Sequence, residues 1–446
     1  MPVIMKFGGT SVEDADAIDR ACAIVMQNLS RQPFVIVSAL AGVTSRLWEA
    51  AHLAACGELN QALRTLSMLM ARHTVLLPSA GKDLGAVREL FRAVSLTREL
   101  TPRTLDLIVS WGEILSSRIF ADRLIKLGCP AFHVDARRCI VTDDTFGKAV
   151  PDIVKTRAKL ISFAVFSELH KGRVPVMGGY IGATEDNVVT TLGRGGSDYT
   201  AAIVGAALGV GEIQIWTDVD GIMTADPRIV GESVARTIDE LSFGEAAELS
   251  SFGAKVLHPA TIAPARKQGI PVLVLNSQRP RNTGTRISAE AKARSNEVKS
   301  IVCKKDITVV TVTSDGMLGP HGYLAKLFAV FDRHKVSVDA VATSEVSVSV
   351  TLDNGHASLA ALQEDLEDLG TVSVEKDCAL ICLVGSGIKG RPEIGGRTLT
   401  TIADTDVLMV SHGASQTNFV FVVRSAVADG VVCKLHQVFF ESAPVV

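Results

Sequence analysis

The strongest constraint on this chain is a recurring pair of features: a short apolar run that stops at small or polar residues, then a stretch of helical period. Val3–Phe7 ends in Gly8-Gly9 and Phe34–Val37 in the small-residue segment Ser38–Gly42. Val174–Met177 ends in glycine, Ile213–Trp216 in Thr217-Asp218, and Pro271–Leu275 in Asn276-Ser277. Short continuous apolar runs suit strands buried on both faces, and such endings suit loops at the carboxyl edge of a parallel sheet. Ser11 opens an amphipathic stretch in which Ile18, Cys22, Ile24, Val25 and Leu29 fall near helical spacing, with Asp14 at the capping-box position. Residues 46–127 are mostly helical in pattern, punctuated by Pro78 and Pro102. The alternation predicts an open α/β sandwich that takes its ligands over the strand ends.

The texture changes near 282–300, a polar, charged segment poor in large apolar groups. Beyond it, period-two alternation marks strands at Thr308–Thr313 and Val346–Thr351, with helix candidates at 322–334 and 357–369. A weak repeat relates the stretch leading to Ser344 to the one leading to Ser415. We therefore expect a first domain over 1–295 and two tandem α+β modules over 296–446 (about 300–380 and 381–446), with strand exchange between them left open.

Composition removes several classes. With 45 Lys+Arg against 48 Asp+Glu, the net charge of −3 leaves no electrostatic footprint for nucleic acid. The longest uncharged run, 407–423, contains Ser411, His412, Gln416 and Asn418, so no membrane span is expected. The start, MPVIMKFGG, lacks the basic-then-apolar pattern of a secretory leader. No CxxC pair occurs among the 8 Cys, which read as reduced thiols of a cytoplasmic protein.

Four segments carry chemistry. In Lys6-Phe-Gly-Gly-Thr-Ser11, glycines after a strand let backbone N–H groups approach an anion and the lysine adds a point charge, although a Gly-Gly turn is often only a turn. Gly193-Arg-Gly-Gly-Ser-Asp198 precedes an Ala-rich helix. Close helix packing accounts for the small residues of that helix but not for Arg194 and Asp198, because charges at a tight turn are costly unless paired or ligand-facing. Trp216–Arg228 clusters Asp218, Asp220 and Asp226 after a strand without the closing acid of a calcium loop. Phe252-Gly-Ala-Lys255 sets a lysine among apolar residues, where simple snorkelling is the alternative. Gly385–Gly390 fits a dinucleotide fingerprint only superficially, because Pro392 follows and no acid lies at the ribose distance.

KFGGTS, GRGGSDYTAA, WTDVDGIMTADPR and FGAKVLHPAT, in that order, resemble the aspartokinases of the amino-acid kinase fold. VSVDAVATSEVSVSVTLD is similar to the effector segment of the ACT domains in lysine-inhibited, monofunctional members. The resemblance covers nearly the whole chain. It implies an α/β fold, an amino-acid-kinase open αβα sandwich followed by two α+β ACT (βαββαβ) modules. The implied activity is transfer of the γ-phosphoryl of ATP to the side chain of L-aspartate, with Mg²⁺, giving 4-phospho-L-aspartate. That is the first step toward lysine, threonine and methionine, under feedback by an amino acid, with lysine expected.

By the same resemblance, Lys6, Asp198 and Lys255 are the catalytic residues. Arg194 and Glu113 read the two ends of aspartate, with Thr44, Ser197 and Tyr180 as further substrate contacts. For Glu113, a buried carboxylate paired with Arg118 is the structural alternative. Gly8 and Gly9 supply backbone donors to ATP, while Thr217, Asp218, Met223, Arg228 and Lys255 line the nucleotide. Met223 stands where relatives place an aromatic. Met317, Gly322, Tyr323, Leu324, Asp339, Ser344 and Glu345 match the effector pattern, which Pro320 interrupts. No protein metal cluster is implied, and a homodimer through the ACT modules is expected, with a tetramer open. Two competing readings stay open: a related kinase for another carboxylate, carbamate or UMP, and a non-catalytic amino-acid sensor, which would lack Lys6, Asp198 or Lys255.

Overall fold

The computed structural model describes residues 1–253, 257, 259–289, 291, 298–317, 321–353 and 359–441. One unit comprises Met1–Ile222, Asp239–Phe243 and Val256–Ala291; the other comprises Met223–Ile238, Gly244–Lys255 and Lys292–Val446. Lys255 and Pro320, singled out above, lie outside the described residues.

The first unit is built on β1 (Val3–Phe7), β2 (Pro33–Val37), β3 (Ala131–Val134), β4 (Val174–Gly178), the two-stranded β5 (Ile181–Ala183) and β6 (Val189–Thr191), β7 (Glu212–Thr217), β8 (Glu240–Ser242), β9 (Val272–Asn276) and β10 (Thr285–Ser288). Eight strands form one sheet in the order β3-β4-β2-β1-β7-β9-β10-β8. Pairing is parallel from β3 through β9, and β10 then runs antiparallel to β9. Val3, Ile4, Met5 and Phe7 of β1 are 0% exposed. Burying side chains of this size contributes about 1.5–3 kcal/mol each, which is why the apolar runs were readable as central strands.

Two expectations are corrected. Ser11 does not open the first helix. Gly9–Val12 is a 3₁₀ turn, the helix is Ala15–Gln27, and Asp14 caps it by accepting the Ala17 N–H at 2.8 Å. The Ser11 hydroxyl is engaged elsewhere, 2.8 Å from Ser277 Oγ. The polar stretch from 282 is not wholly a boundary either, because it contains β10. Thr285 and Ile287 are buried there while Arg286 between them faces out toward Glu212. A strand whose side chains alternate between core and solvent needs apolar groups only at every second position.

The second unit has a six-stranded antiparallel sheet of β11 (Val298–Thr313), β12 (Val341–Thr343), β13 (Ser347–Asp353), β14 (Thr371–Gly385), β15 (Met409–His412) and β16 (Asn418–Arg424), in the order β12-β13-β11-β14-β16-β15. β11 and β14 each run through two cores. Ile307–Thr313 pairs with β13 and with the start of β14; Val298–Lys304 pairs with the end of β14, which in turn pairs with β16. The halves meet at register shifts beside Asp306 and Asp377, both at positive φ (58° and 55°), a conformation Asp tolerates better than most residues. One core holds Val310, Val312, Leu327, Phe331 and Leu362, the other Ile301, Ile381, Phe421, Val431 and Leu435. The leading half of β11 thus belongs to the sheet region of the second module although it precedes the first in sequence. The second core also takes in Ala225, and the Ile301 N–H donates to Thr224 O.

Candidate active site

The carboxyl ends of β1, β2 and β4 and the turns that follow them converge on one cavity of about 610 Å³. Its walls include Lys6, Gly9, the 38–42 segment, Thr44, Glu113, Gly147, Tyr180 and the whole turn Gly193–Asp198. The helix Gly196–Leu208 starts in that turn, with Gly193 and Gly195 at positive φ, so its unsatisfied N–H groups and favourable dipole end face the cavity.

Lys6 sits on β1 between Ile36 and Ile215 of the flanking strands and is only 8% exposed. Its Nζ lies 2.7 Å from Oδ1 of Asp198, in the first turn of that helix. Glu113, near the start of the helix Trp111–Lys126, is 3% exposed. Its Oε1 accepts the Thr44 hydroxyl at 3.4 Å, while Oε2 has no hydrogen-bond partner among the described residues. Burial pushes this carboxyl up to about 8, against the opposing pull of the Ala39 N–H, its own N–H and the Thr44 hydroxyl. The structural alternative for Glu113 is overturned, because Arg118 pairs with Asp83 at 2.8 Å. A buried carboxyl with a vacant acceptor suits a cationic ligand group.

Arg194 is exposed, and among the described residues no ion pair or hydrogen bond engages its guanidinium. Tyr180 has a φ of 65° and packs on the turn: a Cβ at Gly196 would stand 2.5 Å from its ring, so only glycine fits there. Burial raises the Tyr180 phenol to about 12. Ser197 is buried at the cavity wall.

Gly8 needs a correction. Its N–H donates to Trp216 O at 3.0 Å, extending the β1–β7 ladder, so it shapes the turn and does not offer a donor to a ligand. Thr217 ends β7 and Asp218 follows it, both outside the cavity lining, with the Thr217 hydroxyl donating to Asp218 Oδ1 at 3.0 Å. Asp220 is held by Asn276 and Arg279. Met223 and Arg228 fall in the second unit, where Ser300 donates to Met223 O and Asp226 caps the turn Pro227–Val230 while pairing with Arg228.

The effector candidates also lie in the second unit. Gly322 precedes the helix Tyr323–Arg333 at a φ of 84°, and Met317 and Tyr323 pack on the first core of the long sheet. Leu324 is 43% exposed, the Ser344 hydroxyl accepts the Val346 and Ser347 N–H groups, and Glu345 is exposed. Asp339 is bonded by Lys304 at 2.7 Å. Gly147 and Asp106 went unread in the sequence. An acid inside the apolar helix Pro102–Val109 was the available signal for Asp106.

No helix among the described residues is long and apolar enough to cross a membrane, and no group of three metal-ligating side chains occurs among them. Residues 1–276 match the amino acid kinase family, and 310–363 and 381–439 match an ACT domain. The chain is 37% identical to lysine-sensitive aspartokinase 3 of Escherichia coli, over 98% of this chain and 99% of that one. The E. coli aspartokinase III structure with aspartate and ADP (R-state) matches with a TM-score of 0.84 at 35% identity, covering 99% of this chain and 100% of that one. The lysine and aspartate complex (T-state) of the same enzyme gives 0.82 at 35%, covering 98% and 99%. A parallel sheet with a lysine–aspartate pair over its carboxyl edge, an antiparallel sheet in the part of the sequence that matches an ACT domain, and likeness along the full length lead to one conclusion: the chain belongs to the aspartokinases.

Proposed function

We propose that the chain transfers the γ-phosphoryl group of ATP to the side-chain carboxylate of L-aspartate, giving ADP and 4-phospho-L-aspartate, and that lysine inhibits it through the ACT modules. The observation that carries this reading is the Lys6–Asp198 pair at 2.7 Å in the same cavity as Glu113 and Arg194. A free aspartate carboxylate has a pKa of about 3.9, so the nucleophile arrives deprotonated and no general base is required. The barrier is the meeting of two anions, which fixed positive charge lowers.

In this reading Lys6 holds the transferring phosphoryl group, and the Gly9 turn and the helix start at Gly196 face the same negative charge. Arg194 pairs bidentately with the α-carboxylate and Glu113 receives the ammonium, with Thr44, Ser197 and Tyr180 shaping the space between. Thr217, Asp218, Met223, Arg228 and Lys255 serve the nucleotide. Mg²⁺ enters with ATP, and Asp198, held at the cavity by its ion pair with Lys6, fits as its carboxylate neighbour. The ion neutralises charge on the phosphates when bound. Met317, Gly322, Tyr323, Leu324, Asp339, Ser344 and Glu345 form the effector site, and the ACT modules pair two copies into a homodimer.

Hydroxylamine trapping tests the reading. ATP–Mg²⁺ with aspartate should give the coloured hydroxamate, glutamate and N-acetylated amino acids should not, and added lysine should suppress it. Equal product from glutamate, or none from aspartate, would remove the assignment.

A further inference from the structure

Asp106 is an acid with no place in the chemistry above, yet it is 2% exposed inside the apolar helix Pro102–Val109. No cation pairs with it among the described residues. Its Oδ2 accepts two backbone N–H groups, from Gly147 and Thr191, each at 2.9 Å, and its Oδ1 accepts the Thr191 hydroxyl at 2.8 Å. A buried acid without a counter-charge is a poor stabiliser compared with an apolar side chain, so what it holds in place matters.

Of the two residues it holds, one lines the cavity and the other leads to it. Gly147 is a cavity wall. Thr191 ends β6, accepts the Ala149 N–H at 2.8 Å, and leads within two residues into the turn that carries Arg194. That turn abuts the Gly147 segment, since a Cβ at Gly193 would be 3.1 Å from Gly147 O. Thr191 also hydrogen-bonds the Tyr180 hydroxyl, and the Leu192 N–H donates to Tyr180 O at 2.8 Å.

We propose that Asp106 is a positioning residue for the aspartate end of the pocket, fixing the Gly147 wall, the root of the Arg194 turn and Tyr180 from behind. The proposal rests on the reading of that end as the aspartate site. Asn can replace Asp106 with little loss. Its carbonyl oxygen can accept both N–H groups, and its NH₂ can donate to the Thr191 hydroxyl, which then turns its own hydrogen toward Tyr180. Ala strands the buried Thr191 N–H and the partly buried Gly147 N–H, and frees the walls.

The experiment compares Asp106→Ala, Asp106→Asn and Thr191→Val in the full chain, with KM for each substrate measured by ADP release and aspartate affinity by calorimetry. Asp106→Ala should raise KM and Kd for aspartate about tenfold or more, while KM for ATP and kcat stay within about threefold. Asp106→Asn should remain within about threefold of the parent in all constants, with Thr191→Val between the two. A tenfold loss confined to aspartate and rescued by Asn is not what general destabilisation produces. The proposal is overturned if Asp106→Ala leaves aspartate affinity within about twofold of the parent, if both KM values rise together, or if Asn fares as badly as Ala. Should Asp106→Ala fail to fold, Thr191→Val decides: unchanged aspartate affinity there is equally fatal. Absence of turnover in the parent would strike the kinase reading instead, leaving the calorimetric ratio to judge Asp106; a parent that binds no aspartate overturns both.

Discussion

Lys6 Nζ and Asp198 Oδ1 are 2.7 Å apart, a contact between the central strand of the parallel sheet and the first turn of the helix Gly196–Leu208. Their side chains are 10% and 15% exposed, so the pair is largely withdrawn from water. Removing one member leaves the other charge poorly compensated, at a cost of about 3–5 kcal/mol in stability. Lys6→Met and Asp198→Asn should each lower kcat about 10²-fold or more. The double variant should lose much less than the product of the two, because the residues act as a unit. Urea unfolding alongside the hydroxamate assay separates the two effects. Turnover near the parent value in either single variant would contradict the mechanism.

Arg194 offers a cleaner split, because no described partner depends on it. Arg194→Ala should change stability by less than about 0.5 kcal/mol. Its KM for aspartate should rise about tenfold or more while KM for ATP barely moves, and Arg194→Lys should recover little, since an ammonium cannot make the paired contact. Steady-state kinetics with each substrate varied in turn checks this.

Glu113 predicts a pH dependence. Its carboxyl is raised from 4.5 to about 8 by burial, so between those values the folded chain keeps a proton that the unfolded chain has lost. Stability from this group is therefore full below the unfolded value and is lost as pH rises toward the folded one. Glu113→Gln should flatten the fall in Tm over that window. In the free enzyme only the ionised form attracts the substrate ammonium, so kcat/KM for aspartate should climb with pH by up to about tenfold per unit until Glu113 has titrated. The Gln variant should lose that limb. A parallel profile in parent and variant would assign the limb elsewhere.

In the regulatory sheet, Lys304 Nζ lies 2.7 Å from Asp339 and 2.6 Å from Asp353. An effector ammonium aimed at Asp339 must compete with Lys304. Lys304→Met should therefore lower the lysine concentration for half inhibition several-fold, at a stability cost below about 1 kcal/mol for a partly exposed pair. Asp339→Asn should raise that concentration about tenfold without altering uninhibited kcat. Dose–response curves for lysine test both, and unchanged curves would place the effector away from Asp339.

The central strands were legible because burial on both faces demands continuous apolar runs: Val3–Phe7 was read to the residue, and Ile213–Trp216 nearly so. The edge strand β8 and its neighbour β10 were not, since strands of three or four residues take their identity from the neighbours they pair with. β11 was read only from 308 onward, because Lys299, Lys304 and Lys305 break up the apolar pattern of its leading half. Lys6, Glu113, Arg194 and Asp198 were all named from their motifs. Asp106 and Gly147 were not, because their importance lies in a hydrogen bond that joins segments remote in the chain.

Local chemistry in the sequence determined the residue types at the site: a lysine at a strand end, glycines where the backbone must turn, an acid in the first turn of a helix. Period and composition determined the two kinds of sheet as well. Tertiary structure alone decided that Gly8 donates its amide to the neighbouring strand, that Arg118 turns to Asp83 and leaves Glu113 unpaired, and that β11 and β14 serve two cores at once. Those outcomes depend on which distant groups come within hydrogen-bonding reach once the apolar surfaces have packed, and no local pattern encodes that distance.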